Sequence, residues 1–166
     1  MLEKRPVFII SKTITEKILD GVSILVILCT FGYLAYVWTL IPERIPIHFN
    51  GQGKEDGWGN KFSLFLLPVI TLILYIGLTV LSKYPHTFNY PYKITNENAT
   101  WQYGNARLFM NCLKMLIVVL FGYVEWTLIQ IARGNSVALN IWIFSIVLLL
   151  ILGTVIFFFI RSIKLK

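Results

Sequence analysis

Three stretches of this chain carry no charged side chain at all: residues 21–42, 62–82 and 134–160. A helix needs about 20 residues to cross the hydrocarbon core of a bilayer, and each stretch reaches that length. The rest of the chain cannot hide them. Of 166 residues, 57% are hydrophobic and 14% charged, and the mean hydropathy is +0.71. Soluble domains carry about 25% charged residues. A soluble enzyme, a secreted disulfide scaffold and a disordered basic tail are therefore excluded. The fold class that remains is all-α, a polytopic membrane four-helix bundle with a structured outer loop.

Spans are expected at 18–41, 62–81, 108–131 and 141–160. Each must be helical, because lipid offers backbone N–H and C=O groups no partner. Pro68 is expected to kink the second span. The chain then divides into a cytoplasmic arm (1–17), a three-span core (18–131) and a closing segment (132–166). The core includes an outer loop (42–61) and a cytoplasmic loop (82–107), and the closing segment holds an outer turn, the fourth span and a cytoplasmic tail. The fourth span is almost wholly aliphatic and aromatic and lacks a GxxxG pair, so it is expected to face lipid or to support a homo-oligomer. Lysine and arginine set the orientation. Ten fall in the arm, the second loop and the tail, against four in the first and third loops. The positive-inside rule places both termini in the cytoplasm of a multi-pass cell-membrane protein.

The formal net charge of +7 does not indicate nucleic acid. The basic residues stand at span ends, where lipid headgroups meet them. Cys29 and Cys112 fall inside predicted spans and are read as small apolar side chains. The first apolar run is too long for a signal-peptide core and is expected to remain as a span. Asn98-Ala99-Thr100 matches a glycosylation sequon, but on the cytoplasmic side. No metal site and no cofactor are expected, since neither cysteine lies near a histidine cluster and the outer loop has one histidine.

The outer loop carries more chemistry than a connector needs. Ile45, Ile47 and Phe49 alternate with Pro46, His48 and Asn50, the period of an extended strand. The alternation would set His48 and Asn50 on one side and the apolar residues against the bundle. Gly51, Gly53, Gly57 and Gly59 permit tight turns that fold Asp56 and Lys61 back toward the strand. Trp58 suits the membrane–water interface. On one reading the loop is an outward-facing binding or catalytic site, in which His48 would be the proton carrier or a metal ligand, Asp56 its orienting partner and Lys61 an anion contact. Alternatively, these side chains satisfy one another in a structural cap.

The run Ile45-Pro46-Ile47-His48-Phe49-Asn50, followed by Gly53, Asp56, Trp58, Gly59 and Lys61, resembles the signature of the domain-of-unknown-function 1648 family. Asn89-Tyr90-Pro91, Ile94-Thr95, Asn98 and Gln102-Tyr103 are similar to that family's cytoplasmic stretch. The resemblance spans roughly residues 16–115 and implies a bacterial integral membrane protein related to SdpI-like toxin-immunity proteins. The further spans of the longer immunity proteins are missing from this chain.

The third span has a polar face. At 100° per residue, Arg107, Asn111, Lys114, Val118, Gly122 and Glu125 share a narrow arc. Charged groups within a membrane helix face protein or trapped water. Glu125 is expected to pair with Arg44, His48 or Lys61, and Lys114 and Arg107 with Asp20. Lys61, Pro68, Thr71, Tyr75, Thr79 and Ser82 form a weaker stripe on the second span, and the two stripes together would make a polar seam. In the second loop, Thr95 is expected to cap a helix bent at Gly104, with Trp101 and Tyr103 at headgroup level.

The leading functional reading is a non-enzymatic membrane protein that senses or binds an extracellular ligand or peptide through the outer loop. Toxin immunity or signalling is the setting that the resemblance implies. The rivals are a membrane hydrolase using His48 and Asp56 with Glu125 as a further acid or base, and a small transporter subunit. The partners expected are the lipid bilayer and a peptide or protein at the outer face, with no nucleic acid.

Overall fold

The computed structural model describes residues 5–8, 10–50, 55–135 and 140–164. Four helices in it are long and apolar enough to cross a membrane. The first, α1 (Ile14–Val37), starts at a capping box. The Thr13 hydroxyl accepts from the Glu16 N–H at 3.2 Å, and the Glu16 carboxylate accepts from the Thr13 N–H at 2.7 Å. That cap starts the helix four residues before the expected span. A 3-10 turn (Trp38–Leu40) extends it. Next comes an antiparallel hairpin, β1 (Arg44–Phe49) and β2 (Glu55–Asn60).

A short 3-10 segment (Lys61–Phe65) leads into α2 (Leu66–Leu81). Pro68 falls in the first turn of α2, where a missing N–H removes no interior helical bond. It therefore belongs to the start of the helix and not to an interior kink. The long helix α3 (Ala99–Ala132) is followed by α4 (Ile141–Lys164). With 34 residues, α3 runs about 51 Å, well beyond a hydrocarbon core of about 30 Å. Its helical hydrogen bonding is continuous through Gly104. Its start is fixed by Thr95 and Asn98, whose side chains each accept from the other's backbone N–H (2.9 and 3.4 Å).

The bundle is built around α3, which packs on α1, α2 and α4. Glu16 pairs with Arg107, Asp20 with Lys114, and Tyr33 with Gln130. Both members of these pairs advance together along the chain, so α1 and α3 run parallel. The two helices pack closely at Gly122, where a Cβ would come within 2.9 Å of the Val26 side chain. The outermost helix is α4, with only Phe158 and Ser162 buried. Gln102 and Ser162 hold it to α3 by two hydrogen bonds (2.8 and 2.6 Å), and Asn105 donates to the Phe158 carbonyl at 3.1 Å.

Apolar side chains close both ends of the bundle. At the hairpin end Leu34, Val37, Ile41, Ile45, Leu64, Ile129 and Ala132 form one buried cluster. At the other end Ile94, Ala99 and Tyr103 pack with Ile10 and Tyr90. Tyr103 is fully buried and donates to the Pro6 carbonyl at 2.9 Å, whereas Trp101 is exposed. Burial also pushes the Tyr90 phenol above the ordinary tyrosine range, so it stays a donor to the Pro85 carbonyl (2.8 Å).

Candidate functional site

The hairpin departs from simple strand alternation. Ile45 and Pro46 are both buried, whereas Ile47 and His48 are both exposed. The cause is the register: Pro46 faces Trp58, His48 faces Gly57 and Phe49 faces Glu55, with irregularities on either side of His48. Ile47 is the extra residue on β1, and Asp56 is the extra residue on β2. Such bulges re-aim side chains. Here they bring His48 and Asp56 together, and the His48 Nδ1–H donates to Asp56 Oδ1. The glycines opposite make room. A Cβ at Gly57 would lie 2.8 Å from the His48 Cβ, and one at Gly59 would lie 2.7 Å from Ile47 Cδ1.

With Nδ1 held by a carboxylate, the imidazole presents Nε2 outward. The same arrangement orients histidine in metal sites and in acid–base pairs. Its side chain is 70% exposed. Asn50 is half-buried beyond β1, and Trp58 is exposed on β2. Gly51 and Gly53, also expected to turn this loop, lie outside the described residues.

Lys61 plays a different part from its expected anion contact. Its ammonium sits 2.7 Å from Glu43 and 4.9 Å from the centre of the Trp38 ring, and its N–H donates to the Glu43 carbonyl at 3.0 Å. It therefore locks the base of the hairpin to the end of α1. Neither Glu43 nor Trp38 stood out in the sequence; the Lys61 position was the only trace of that lock.

Glu125 does not pair with Arg44, His48 or Lys61. It is fully buried, and neither carboxylate oxygen has a hydrogen-bond partner among the described residues. The reason is depth. Glu125 lies seven residues, about 10 Å, before the end of α3, and the apolar cluster around Ile45 and Ile129 stands between it and the hairpin. It lines a groove of about 390 Å³ between α1 and α3.

Towards the N-terminal end of α3 both cations of the stripe are paired. Lys114, 2% exposed, meets Asp20 at 2.5 Å and Thr79 at 2.9 Å and lies 4.6 Å from the Tyr75 ring centre. The stripes on α2 and α3 do meet here, as their spacing implies. Lys12 takes the other Asp20 oxygen at 2.6 Å. Arg107 does not reach Asp20. It pairs with Glu16 at 3.0 Å and also donates to the Ile10 carbonyl, while Asn111 donates to Glu16 at 3.4 Å. Sequence reasoning missed Glu16, although Glu16 and Asp20 stand one helical turn apart and match two cations on α3. Val118 is buried between this network and Glu125, so the polar seam is interrupted by an apolar layer.

The hairpin and the α-helical ends flanking it lie within a segment that matches a known family model. Residues 25–72 match the model of a domain of unknown function, DUF1648. The DUF1648 segment runs from the middle of α1 through the hairpin into α2 and stops before α3. The chain is also similar to a protein of Archaeoglobus fulgidus named as an uncharacterized protein, at 24% identity over 89% of this chain and 86% of that one. No solved structure matches.

Proposed function

We propose that this DUF1648-containing membrane protein is a non-enzymatic binding protein that recognises a peptide or protein through the outer face of its hairpin, in a protective or signalling role. The observation that carries the reading is an imidazole fixed by Asp56 and turned outward on a hairpin whose base is clamped to the bundle. Ile47 and Trp58, both exposed, flank it with apolar surface. A rigid platform with one oriented polar pair and two large apolar side chains has the makeup of a recognition surface, where a few anchors supply most of the affinity.

The experiment is photo-crosslinking from position 58 in native membranes. With benzoylphenylalanine at Trp58, a discrete protein or peptide adduct is expected, and it should disappear in His48→Ala and Asp56→Ala. Crosslinks to lipid alone, or an adduct indifferent to both substitutions, would reduce the hairpin to a cap. The hydrolase reading rests on the same His48–Asp56 pair. It would gain support if Asp56→Asn kept the adduct while abolishing turnover of the captured molecule.

A further inference from the structure

We propose that the groove lined by Glu125 is a binding site for a lipophilic organic cation, an amine or onium group carried on apolar substituents. This site is separate from the hairpin surface and does not depend on it. The groove lies between α1 and α3, with Cys29, Thr30 and Tyr33 on one wall and Gly122, Tyr123 and Trp126 on the other. Cys29 and Trp126 are exposed along it, so it opens on the flank of the bundle, where lipid chains lie.

The acid is unsatisfied in either protonation state. An ionised carboxylate buried without a counter-charge is costly, and a neutral acid still leaves its O–H and its carbonyl oxygen unpaired. Both oxygens lack a partner among the described residues. Nearby polar groups are engaged elsewhere. The Thr30 hydroxyl donates to the Val26 carbonyl (2.9 Å), and the Tyr123 hydroxyl accepts from the Asn140 N–H (3.0 Å). The Tyr33 hydroxyl accepts from Gln130 (2.5 Å) and from Arg133 (3.1 Å). Arg133, the cation next along α3, is thus held on Tyr33.

The wall chemistry selects the occupant. Buried water needs two to four polar partners; here the acid is one, the Thr30, Tyr33 and Tyr123 hydroxyls already hold other bonds, and the rest of the lining is apolar. A hard metal ion needs about six oxygen ligands. Among the described residues, no group of three His, Cys, Asp or Glu side chains is placed to hold a metal. An organic cation needs neither. Its charge is met by one carboxylate and by aromatic faces, and its substituents by the aliphatic wall. Tyr33, Tyr123 and Trp126 supply those faces. A ligand of this kind partitions into the bilayer and arrives from the side that the groove opens to.

The test uses the full chain in lipid nanodiscs and tetraphenylphosphonium as the probe, with empty nanodiscs as background. Saturable binding is expected, weakened by about tenfold or more in Glu125→Gln and unchanged in His48→Ala. Equal binding by Glu125→Gln, or no binding above empty nanodiscs, would overturn the proposal. A second measurement needs no change at Glu125. In a Cys112→Ala background, tetraphenylphosphonium should slow alkylation of Cys29 by N-ethylmaleimide by roughly fivefold or more at saturation, whereas neutral triphenylphosphine oxide should not. Equal alkylation with and without the cation would likewise overturn it.

Discussion

Lys114 is a cation buried within the bundle and paired there. An ammonium almost wholly removed from solvent is held by a carboxylate from α1 and by a hydroxyl and an aromatic ring from α2. Breaking a buried pair by removing one partner typically costs about 3–5 kcal/mol. Lys114→Met should fall near the lower end of that range, because Lys12 stays on the second Asp20 oxygen. Asp20→Asn combined with Lys114→Met should recover most of the loss, and Lys12→Ala, at a half-exposed site, should cost under about 1 kcal/mol. Denaturant unfolding in detergent, followed by near-UV circular dichroism, reads all three. The Asp20–Lys114 pair was legible in the sequence because both residues interrupt apolar helices at matching depth. The isolation of Glu125 was not. Charge patterning finds a counter-charge within reach along the membrane normal, but it cannot see the layer of Ile45, Leu64 and Ile129 that lies between.

At the scale of elements, the hairpin and the helices put opposite demands on glycine. Gly57 and Gly59 lie under the side chains of His48 and Ile47. Gly57→Ala or Gly59→Ala should force β2 away from β1, an overpacking cost of about 1–3 kcal/mol. Faster amide hydrogen exchange should follow across residues 44–49 and 55–60, with little change in α1 to α4. Gly104 and Gly153 have nothing within 4 Å of an added Cβ. Alanine at either should be neutral or stabilise its helix by up to about 1 kcal/mol, read as a higher Tm. The strand itself was legible from Ile45 to Asn50. Its two bulges were not, because a one-residue irregularity leaves no trace in an alternating pattern and yet decides which side chains face outward. The start of α1 was missed for a similar reason. Thr13 sets it through local hydrogen bonds, whereas hydropathy records only where charge stops; at α3 the capping residue Thr95 was legible.

At the scale of the whole molecule, three of the four spans follow from the uncharged runs and the remaining one from its apolar length around Lys114 and Glu125, and the bias of lysine and arginine gives the expected orientation. With Cys29 and Cys112 replaced by alanine, a cysteine at Glu55 should react with a membrane-impermeant maleimide on intact cells. A cysteine at Lys164 should react only after permeabilisation, and the reverse pattern would invert the topology. The role of α4 follows from its attachment. Gln102→Leu with Ser162→Ala removes two of the hydrogen bonds that tie it to α3, and should raise deuterium uptake in its last turns while leaving α1 to α3 protected.

The burial of Ile45 sets how the two ends of this molecule communicate. Because a strand residue fills the same apolar cluster as the ends of α1 and α3, the hairpin is not a tether hung from the membrane. It has no slack at its root. A pull on its tip would be passed at once to the helix ends, and through Ile129, one turn beyond Glu125, to the rim of the groove.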